Sequence, residues 1–568
     1  MAVNRIGIVI TLLLFSGYLK GQVSISFENE SLEQALLKID SLTELQLSYN
    51  PQILPNGITI NQSYESVTAE YILRDLLDES YQLKYISDYL IIQKAPPKKQ
   101  EKVTFQIKGG IRDASTGEQL KDVSIYEVNS LKSTLSDDKG EFDLETETQY
   151  EVATFAVSKR FYRDTIIQIS RQKLLEGPIE IRQEEEVEKE KRKGKPVRER
   201  VKVFTSGLAR FFTSKKVLTN ARNVNFVDTR PFQLSLIPSI GTNLKMSSQV
   251  RNRASINILA GYSYGVSGFE MGGLYNITRE EVRGAQLGGF GNTVGGEVRG
   301  LQMAGFINTT KDYVNGVQMA GFLNIASDSV NGFEAAGFTN ITKEMRGLQM
   351  AGFNNHTKKT SGLQIAGFIN TSREMDGMQL AGFINTSRRV NGVQLSVINL
   401  ADSVGSGIQL GIINITKKNG FLSPAFESTD FTPYQLAFRS GLEYFYSVLS
   451  VGIHPDYWNY GVGFGSRVFV SKKKALFFNP ELRWITLREG KEEENENSNL
   501  VRLDLNLGYK FFKRLSISGG PALNFYYTNR LDESGLPEID IAGNTLLDDL
   551  SGSNRYQLWV GYSLRVGF

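Results

Sequence analysis

Residues 300 to 332 read GLQMAGFINTTKDYVNGVQMAGFLNIASDSVNG, nearly the same phrase twice. Aligned on its first glycine, the phrase has ten copies, beginning at Gly268, Gly284, Gly300, Gly316, Gly332, Gly347, Gly362, Gly377, Gly392 and Gly407 and spaced first by 16 and then by 15 residues. Its core is glycine, an apolar residue, glutamine, another apolar residue, Ala-Gly-Phe, an apolar residue and asparagine, followed by a short polar link. At period two, the copy at Gly300 sets Leu301, Met303, Gly305 and Ile307 on one face. Val298, Gly300, Gln302, Ala304, Phe306 and Asn308 fall on the other. The third position runs Glu270, Gln286, Gln302, Gln318, Glu334, Gln349, Gln364, Gln379, Gln394 and Gln409. Two acidic members suit a side turned to water or protein, so this series is expected to line the lumen of a barrel.

Two architectures fit the repeat. Antiparallel hairpins need only a short turn between strands. A β-solenoid must instead bring the chain back to begin a parallel rung. If each segment of about ten residues is one straight strand of about 33 Å, the remaining five reach about 18 Å at most and cannot close a rung. A solenoid therefore requires a corner inside the segment, and Ala304-Gly305 is the place for it. With two strands before the repeats, ten within and six or seven after, the expected fold is a transmembrane antiparallel barrel of about 18 strands over residues 231–568, with the repeats at 268–416. The alternative is a solenoid beside a smaller barrel.

The last strands carry the membrane argument. In YQLWVGYSLRVGF, Tyr556, Leu558, Val560, Tyr562, Leu564, Val566 and Phe568 alternate with Gln557, Gly561, Ser563 and Arg565. In LVRLDLNLGYKF, Val501, Leu503, Leu505, Leu507, Tyr509 and Phe511 alternate with Arg502, Asp504, Asn506, Gly508 and Lys510. A barrel satisfies both faces, with apolar side chains in hydrocarbon and polar ones inside. Tyr562, Leu564, Val566 and Phe568 resemble the C-terminal sorting strand of bacterial outer-membrane barrels. That resemblance implies outer-membrane lipid and the barrel-assembly machinery as partners. The repeats resemble bacterial surface-repeat proteins with GxQxAGxxN units.

Upstream, the first 22 residues combine Arg5, an apolar run from Ile6 to Phe15 and small residues, the pattern of a secretory signal peptide. Residues 23–96 alternate strand and helix patterns. SLEQALLKI, LSYNP and YQLKYISDYLIIQK resemble the secretin and TonB short N-terminal (STN) domain. This implies a small α+β domain in the periplasm that binds a protein partner, such as an anti-sigma-type regulator. Residues 103–171 hold strands and turns only. IKGGIRDASTGEQLKDVSIYE followed by LSDDKGEFDL resembles the carboxypeptidase-regulatory-like domain, a non-catalytic β-sandwich frequent before outer-membrane receptors in Bacteroidota. Asp137, Asp138 and Gly140 read as its hairpin turn. Residues 172–230 form a charged linker with an amphipathic stretch, GLARFFTSKKVL, suited to lie on a membrane or to cap the next domain.

The chain of 568 residues is thus read as multidomain and mainly β, in keeping with its 54 glycines, 33 phenylalanines and 24 tyrosines. A net charge of +3 gives no reason to expect nucleic acid. Cysteine is absent, and the two histidines, His356 and His454, lack any recognisable nucleophile motif. No enzyme activity, cofactor or metal is therefore expected. The expected role is an outer-membrane barrel with periplasmic protein-binding domains, acting in transport or secretion or in transmembrane signalling. The alternative is a surface structural or adhesive repeat protein. The roughly 60 residues ahead of the first barrel strand are about half the length of a TonB-receptor plug, which argues against ligand-gated uptake.

Overall fold

A computed structural model of the chain describes residues 22–42, 46–55, 57–86, 89–95, 102–170, 177–184, 207–470, 475–489, 497–512 and 515–568. The expected signal segment lies outside them except for Gln22. Among the described residues, 66% lie in strands and 8% in helices, so the protein is mainly β. It divides into two compact units, residues 1–284 and 285–568.

In the first unit, SLEQALLKI forms the helix Leu32–Leu42, burying Leu32, Ala35, Leu36 and Ile39 at helical spacing. Ser31 and Gln34 cap its start reciprocally: Gln34 N–H donates to Ser31 Oγ at 3.3 Å and Ser31 N–H to Gln34 Oε1 at 2.9 Å. The helix packs with the antiparallel pair Gln22–Ser31 and Thr59–Thr68. A second helix, Ala69–Leu76, follows, and the strands Tyr81–Ile86 and Tyr89–Lys94 form an antiparallel pair. Residues 103–181 then build two sheets around Phe105, Ile107, Ile125, Phe142, Phe155 and Ile181. Asp137 and Gly140 close a turn there, with Gly140 N–H donating to Asp137 O at 3.0 Å.

The linker boundary needs correction. Strand Ile179–Ile181 pairs in parallel with Ile111–Asp113 and so belongs to the two-sheet body, because its alternating isoleucines find an apolar core. Helix Lys215–Asn223, from the amphipathic stretch, is capped by Ser214 and buries Val217 and Ala221. Asn220 Oδ1 accepts from Ser124 Oγ at 2.8 Å and Asn220 Nδ2 donates to Lys245 O at 3.1 Å, tying the helix to the two-sheet body and to the segment before Val250. Strand Asp228–Ile237 pairs in parallel with Val250–Asn257, which pairs in parallel with Gly265–Gly272. These strands, expected as barrel strands, instead begin a solenoid.

The second unit carries the same coil geometry. Val298–Ala304 pairs in parallel with Val314–Ala320, matching Gly300 with Gly316 and Gln302 with Gln318. Ile307–Thr310 pairs likewise with the strand beginning at Leu323. The ladder continues in this register to Ile413–Thr416. From Phe421 every pairing becomes antiparallel. Eight strands, Phe421–Thr429, Tyr434–Leu442, Phe445–Ile453, Trp458–Gly465, Leu476–Arg488, Ser498–Lys510, Ser516–Thr528 and Asn554–Gly567, close into a barrel, the last pairing with the first.

The expected barrel of about 18 antiparallel strands therefore gives way to a solenoid and an eight-strand barrel. The reason is the corner. The chain bends at Gly305-Phe306, splitting the supposed straight strand into Val298–Ala304 and Ile307–Thr310. Two short strands with two corners return the chain within one repeat, which a single straight strand cannot do.

Candidate functional site

The coil begins with a glycine that no other residue replaces. Gly300, Gly316, Gly332 and Gly347 have φ between +125° and +136°. A Cβ on Gly347 would lie 2.1 Å from the carbonyl oxygen of Gly332 on the preceding coil. Side-chain bulk is thus excluded twice, by backbone conformation and by close coil stacking.

Inside the coils, polar side chains form two ladders, the second interrupted between Gln318 and Glu334. Asn308 Nδ2 donates to Asn324 Oδ1 at 3.0 Å and to Met319 O at 2.6 Å. The same pair of bonds recurs at Asn340, Asn355, Asn370 and Asn385. In the second ladder each glutamine donates backwards: Gln318 Nε2 to Gln302 Oε1 at 2.7 Å, and Gln364 to Gln349, Gln379 to Gln364, Gln394 to Gln379 and Gln409 to Gln394 at 2.7–2.8 Å. Threonine and serine from the facing strand complete it, as with Thr310 Oγ1 to Gln302 Oε1 at 3.1 Å and Thr416 Oγ1 to Gln409 Oε1 at 2.8 Å. A buried amide is costly unless paired, and stacking identical coils pairs it without water.

Glu334 occupies one rung. It is fully buried and accepts from Thr342 Oγ1 and from Gln349 Nε2 at 2.6 Å. Burial pushes its carboxyl up to about 7, opposed only in part by those two donors. Glu270, in the first unit, accepts from Asn257 Nδ2 and Thr278 Oγ1, each at 3.2 Å.

All ten residues expected to line a lumen, Glu270, Gln286, Gln302, Gln318, Glu334, Gln349, Gln364, Gln379, Gln394 and Gln409, are at most 1% exposed. They face the closed interior of a solenoid, not a barrel lumen. The inward assignment of Gln302 and Asn308 agrees with the structure, but that of Phe306 does not. Phe306 stands on the corner, half-exposed, where the bend breaks strict alternation. It belongs to a row that the sequence reading missed: Phe290, Phe306, Phe322, Phe338, Phe353, Phe368 and Phe383 stack with centroids 4.8–5.2 Å apart. Its signal was present, since Ala-Gly-Phe recurs at one position of the repeat.

The barrel separates its faces sharply. Tyr562, Leu564 and Phe568 are exposed on the outside and Val566 is half-exposed beside them, while Arg565 and Ser563 are buried inside. The inward side chains form an ionic plug. Glu427 pairs with Arg439, with Arg483 at 2.8 Å and with Arg565 at 2.8 Å. Glu481 pairs with Arg439 at 2.6 Å and Arg565 at 3.0 Å, and Asp504 with Arg483 and with Arg502 at 3.0 Å. Asp430 drops in from a loop, accepting from Arg502 at 2.8 Å and from Trp559 Nε1 at 2.7 Å. Gly561 leaves it room, because a Cβ there would lie 2.1 Å from its carboxylate. Of this plug, period two had turned Arg502, Asp504 and Arg565 away from the apolar face. Glu427, Arg439, Glu481 and Arg483 escaped notice because their partners lie on distant strands.

Among the described residues no group of His, Cys, Asp and Glu is placed to hold a metal ion. Fold and interior chemistry define a polar-cored β-solenoid joined in one chain to a small closed β-barrel. Comparison with protein-family models, with curated proteins and with solved structures found no match.

Proposed function

We propose that the closed barrel spans the outer membrane and anchors protein-binding domains in the periplasm, and that the protein acts in transmembrane signalling. One observation carries the reading: the barrel is apolar outside and ionic inside. Its outer wall shows aliphatic residues such as Leu436, Val451, Val462, Leu482 and Leu523, with Trp458 at one end and Tyr509 and Phe568 at the other. An apolar band between aromatic girdles is what a bilayer requires of a barrel. Arginines and carboxylates belong on the side away from lipid.

The longest connection supports an orientation. It separates Thr528 from Asn554, contains Thr545–Ser551 and lies at the end where Thr429 joins Tyr434 and Ile453 joins Trp458 through four residues each. At the other end, where the chain enters at Phe421, the links from Leu442 to Phe445, Gly465 to Leu476 and Lys510 to Ser516 are of two, ten and five residues. The longest loops of bacterial barrels face the cell exterior, so the entry end is read as periplasmic.

Of the two expected roles, signalling suits the plug better than transport or secretion. Eight strands leave room for side chains and little else. The resemblance of residues 23–96 to STN domains points to a periplasmic partner such as an anti-sigma-type regulator, and the barrel-assembly machinery would insert the chain through its last strand. The protein is read as a binding protein, not an enzyme, with no cofactor.

The test combines three measurements on the full chain. Heat-modifiable gel migration and protection of residues 228–416 from protease added to intact cells are expected, with no conductance in planar bilayers. Partner capture from a periplasmic extract on residues 23–96 within the full chain identifies the regulator. Cleavage of the repeats from outside the cell would instead assign a surface adhesive role.

A further inference from the structure

The row from Phe290 to Phe383 leaves a long apolar edge on the solenoid. Each of its phenylalanines is 38–41% exposed, and Val397 and Ile412 continue the row at the last corners. Exposed neighbours on the flanking strands are apolar as well, among them Met350, Met378 and Leu395. The opposite corner of the same coils carries exposed charge, including Lys343, Lys359, Arg373, Arg388 and Lys417. A continuous apolar strip of this length on a polar-cored body is an interaction surface, since isolated folds rarely leave one bare.

The junction with the barrel indicates what the strip meets. Ser440 and Ser447 alternate with the inward Arg439 and Tyr446, so they point out of the barrel wall, yet both are buried. The last coil covers them: Asn414 N–H donates to Ser440 Oγ at 3.0 Å, Asn414 Nδ2 donates to Ser447 Oγ, and Ser447 Oγ donates to Gly411 O. The coils therefore stack outwards from the wall.

The same contacts orient the two corners. At the hairpin tip, Leu442 packs with Val404 and Val390 beside the charged corner, and Tyr444 Oη donates to Gly407 O. Gly411 and Asn414, next to Ile412 of the apolar corner, meet the wall at residues 440 and 447. These lie two residues further from the tip, about 7 Å nearer the middle of the apolar band. The apolar edge thus points to the band, and the charged edge to the rim.

We propose that the phenylalanine edge rests in the periplasm-facing leaflet of the bilayer, so that the coils from residue 285 to 416 lie along the membrane as an arm of the barrel. The occupant of the strip is phospholipid. This inference rests on the reading of the barrel as membrane-spanning. Stacked aromatic rings backed by a polar body suit the boundary between headgroups and acyl chains.

The chain has no cysteine, so single-cysteine variants can be labelled with an environment-sensitive fluorophore without background. The full protein is reconstituted in phosphatidylcholine vesicles as F338C, F368C, K359C and, on the barrel wall, V451C, with heat-modifiable migration checking each fold. Quenching is compared between a spin label on the acyl chain and aqueous iodide. Label at F338C and F368C is expected to lose emission to the lipid-borne quencher as V451C does, while K359C loses it to iodide alone. Iodide quenching at both phenylalanine sites beside a lipid-quenched V451C overturns the arm and leaves the spanning barrel standing. Shielding from both quenchers would show the strip covered by protein, such as a second copy, and overturns it equally. A V451C label open to iodide and untouched by lipid instead removes the barrel reading.

Discussion

Gln318 and Glu334 are register partners on adjoining coils, and Gln318 Oε1, buried beside Glu334, receives no hydrogen bond. Elsewhere in the ladder the next glutamine fills this place with an amide N–H, as Gln318 does for Gln302 and Gln364 for Gln349. A carboxylate has no proton to give. A neutral carboxyl has one.

The pH dependence of stability follows from this pair. The Glu334 carboxyl is raised by burial from its ordinary 4.5 to about 7, so the folded state holds the proton more tightly than the unfolded chain. Its contribution is full below pH 4.5 and is lost as pH rises through about 7. The loss is on the order of 3 kcal/mol. E334Q restores the missing N–H and should flatten that pH slope while raising stability at pH 8. Urea unfolding of both proteins from pH 4 to 8 measures this, and parallel slopes would refute it.

The asparagine ladder should respond to chemistry more than to size. N355A removes the acceptor of Asn340 Nδ2, which keeps its bond to Met350 O, and the donor to Asn370 Oδ1 and Ile365 O, so that three buried hydrogen bonds are lost. A cost of about 2–4 kcal/mol is expected. N355D keeps the shape but buries a charge, so near neutral pH it should cost more than N355A and recover on acidification. Thermal melts at two pH values distinguish the variants.

Gly347 tests the coil spacing. G347A places a methyl group against Gly332 O and forces an alanine into φ +125°. A loss of at least about 2 kcal/mol is expected. Gly543, with nothing within 4 Å of its added Cβ, is the matched control, and G543A should melt with the parent.

Arg483 holds the plug together, pairing with both Glu427 and Asp504. R483M leaves buried carboxylates short of a partner and should lower barrel stability by about 3–5 kcal/mol. Loss of heat-modifiable migration at lower temperature reads this directly, and an unchanged transition would mean that the plug contributes little.

Leu442 joins two structures with different fates. Its side chain sits among Met375, Val390, Ala401 and Val404, while its backbone belongs to the barrel strand Tyr434–Leu442. L442A should cost about 2–5 kcal/mol. Faster hydrogen exchange is expected in residues 390–416, with the strands from 476 to 567 unchanged. Equal acceleration in both would show that they unfold as one.

Much of this architecture is legible in one dimension because it is periodic. Spacing of 16 and then 15 residues marks the repeats, and the strict alternation from Tyr556 to Phe568 marks a wall with unlike faces. The inward side of Gln302 and Asn308 follows from the same alternation. The plug was only partly legible. Arg502, Asp504 and Arg565 sit on a recognisably polar face, but the pairing of Arg502 with Asp430 and of Arg565 with Glu427 and Glu481 depends on closure of the barrel. Residues 72 or more apart share no local pattern.

The sequence by itself determined the period and the mainly β character, since side-chain chemistry and local backbone preference decide these. Tertiary structure alone decided the direction of pairing. Period two is the same in parallel and antiparallel ladders, so alternation carries no information about the neighbour. The choice rested on the bend at Gly305-Phe306 and on Gly300 at φ +128°, which turn one apparent strand into two sides of a coil. That bend is favoured only when the next coil offers its carbonyls and amides at the same height, a condition set by the stack and not by any one repeat.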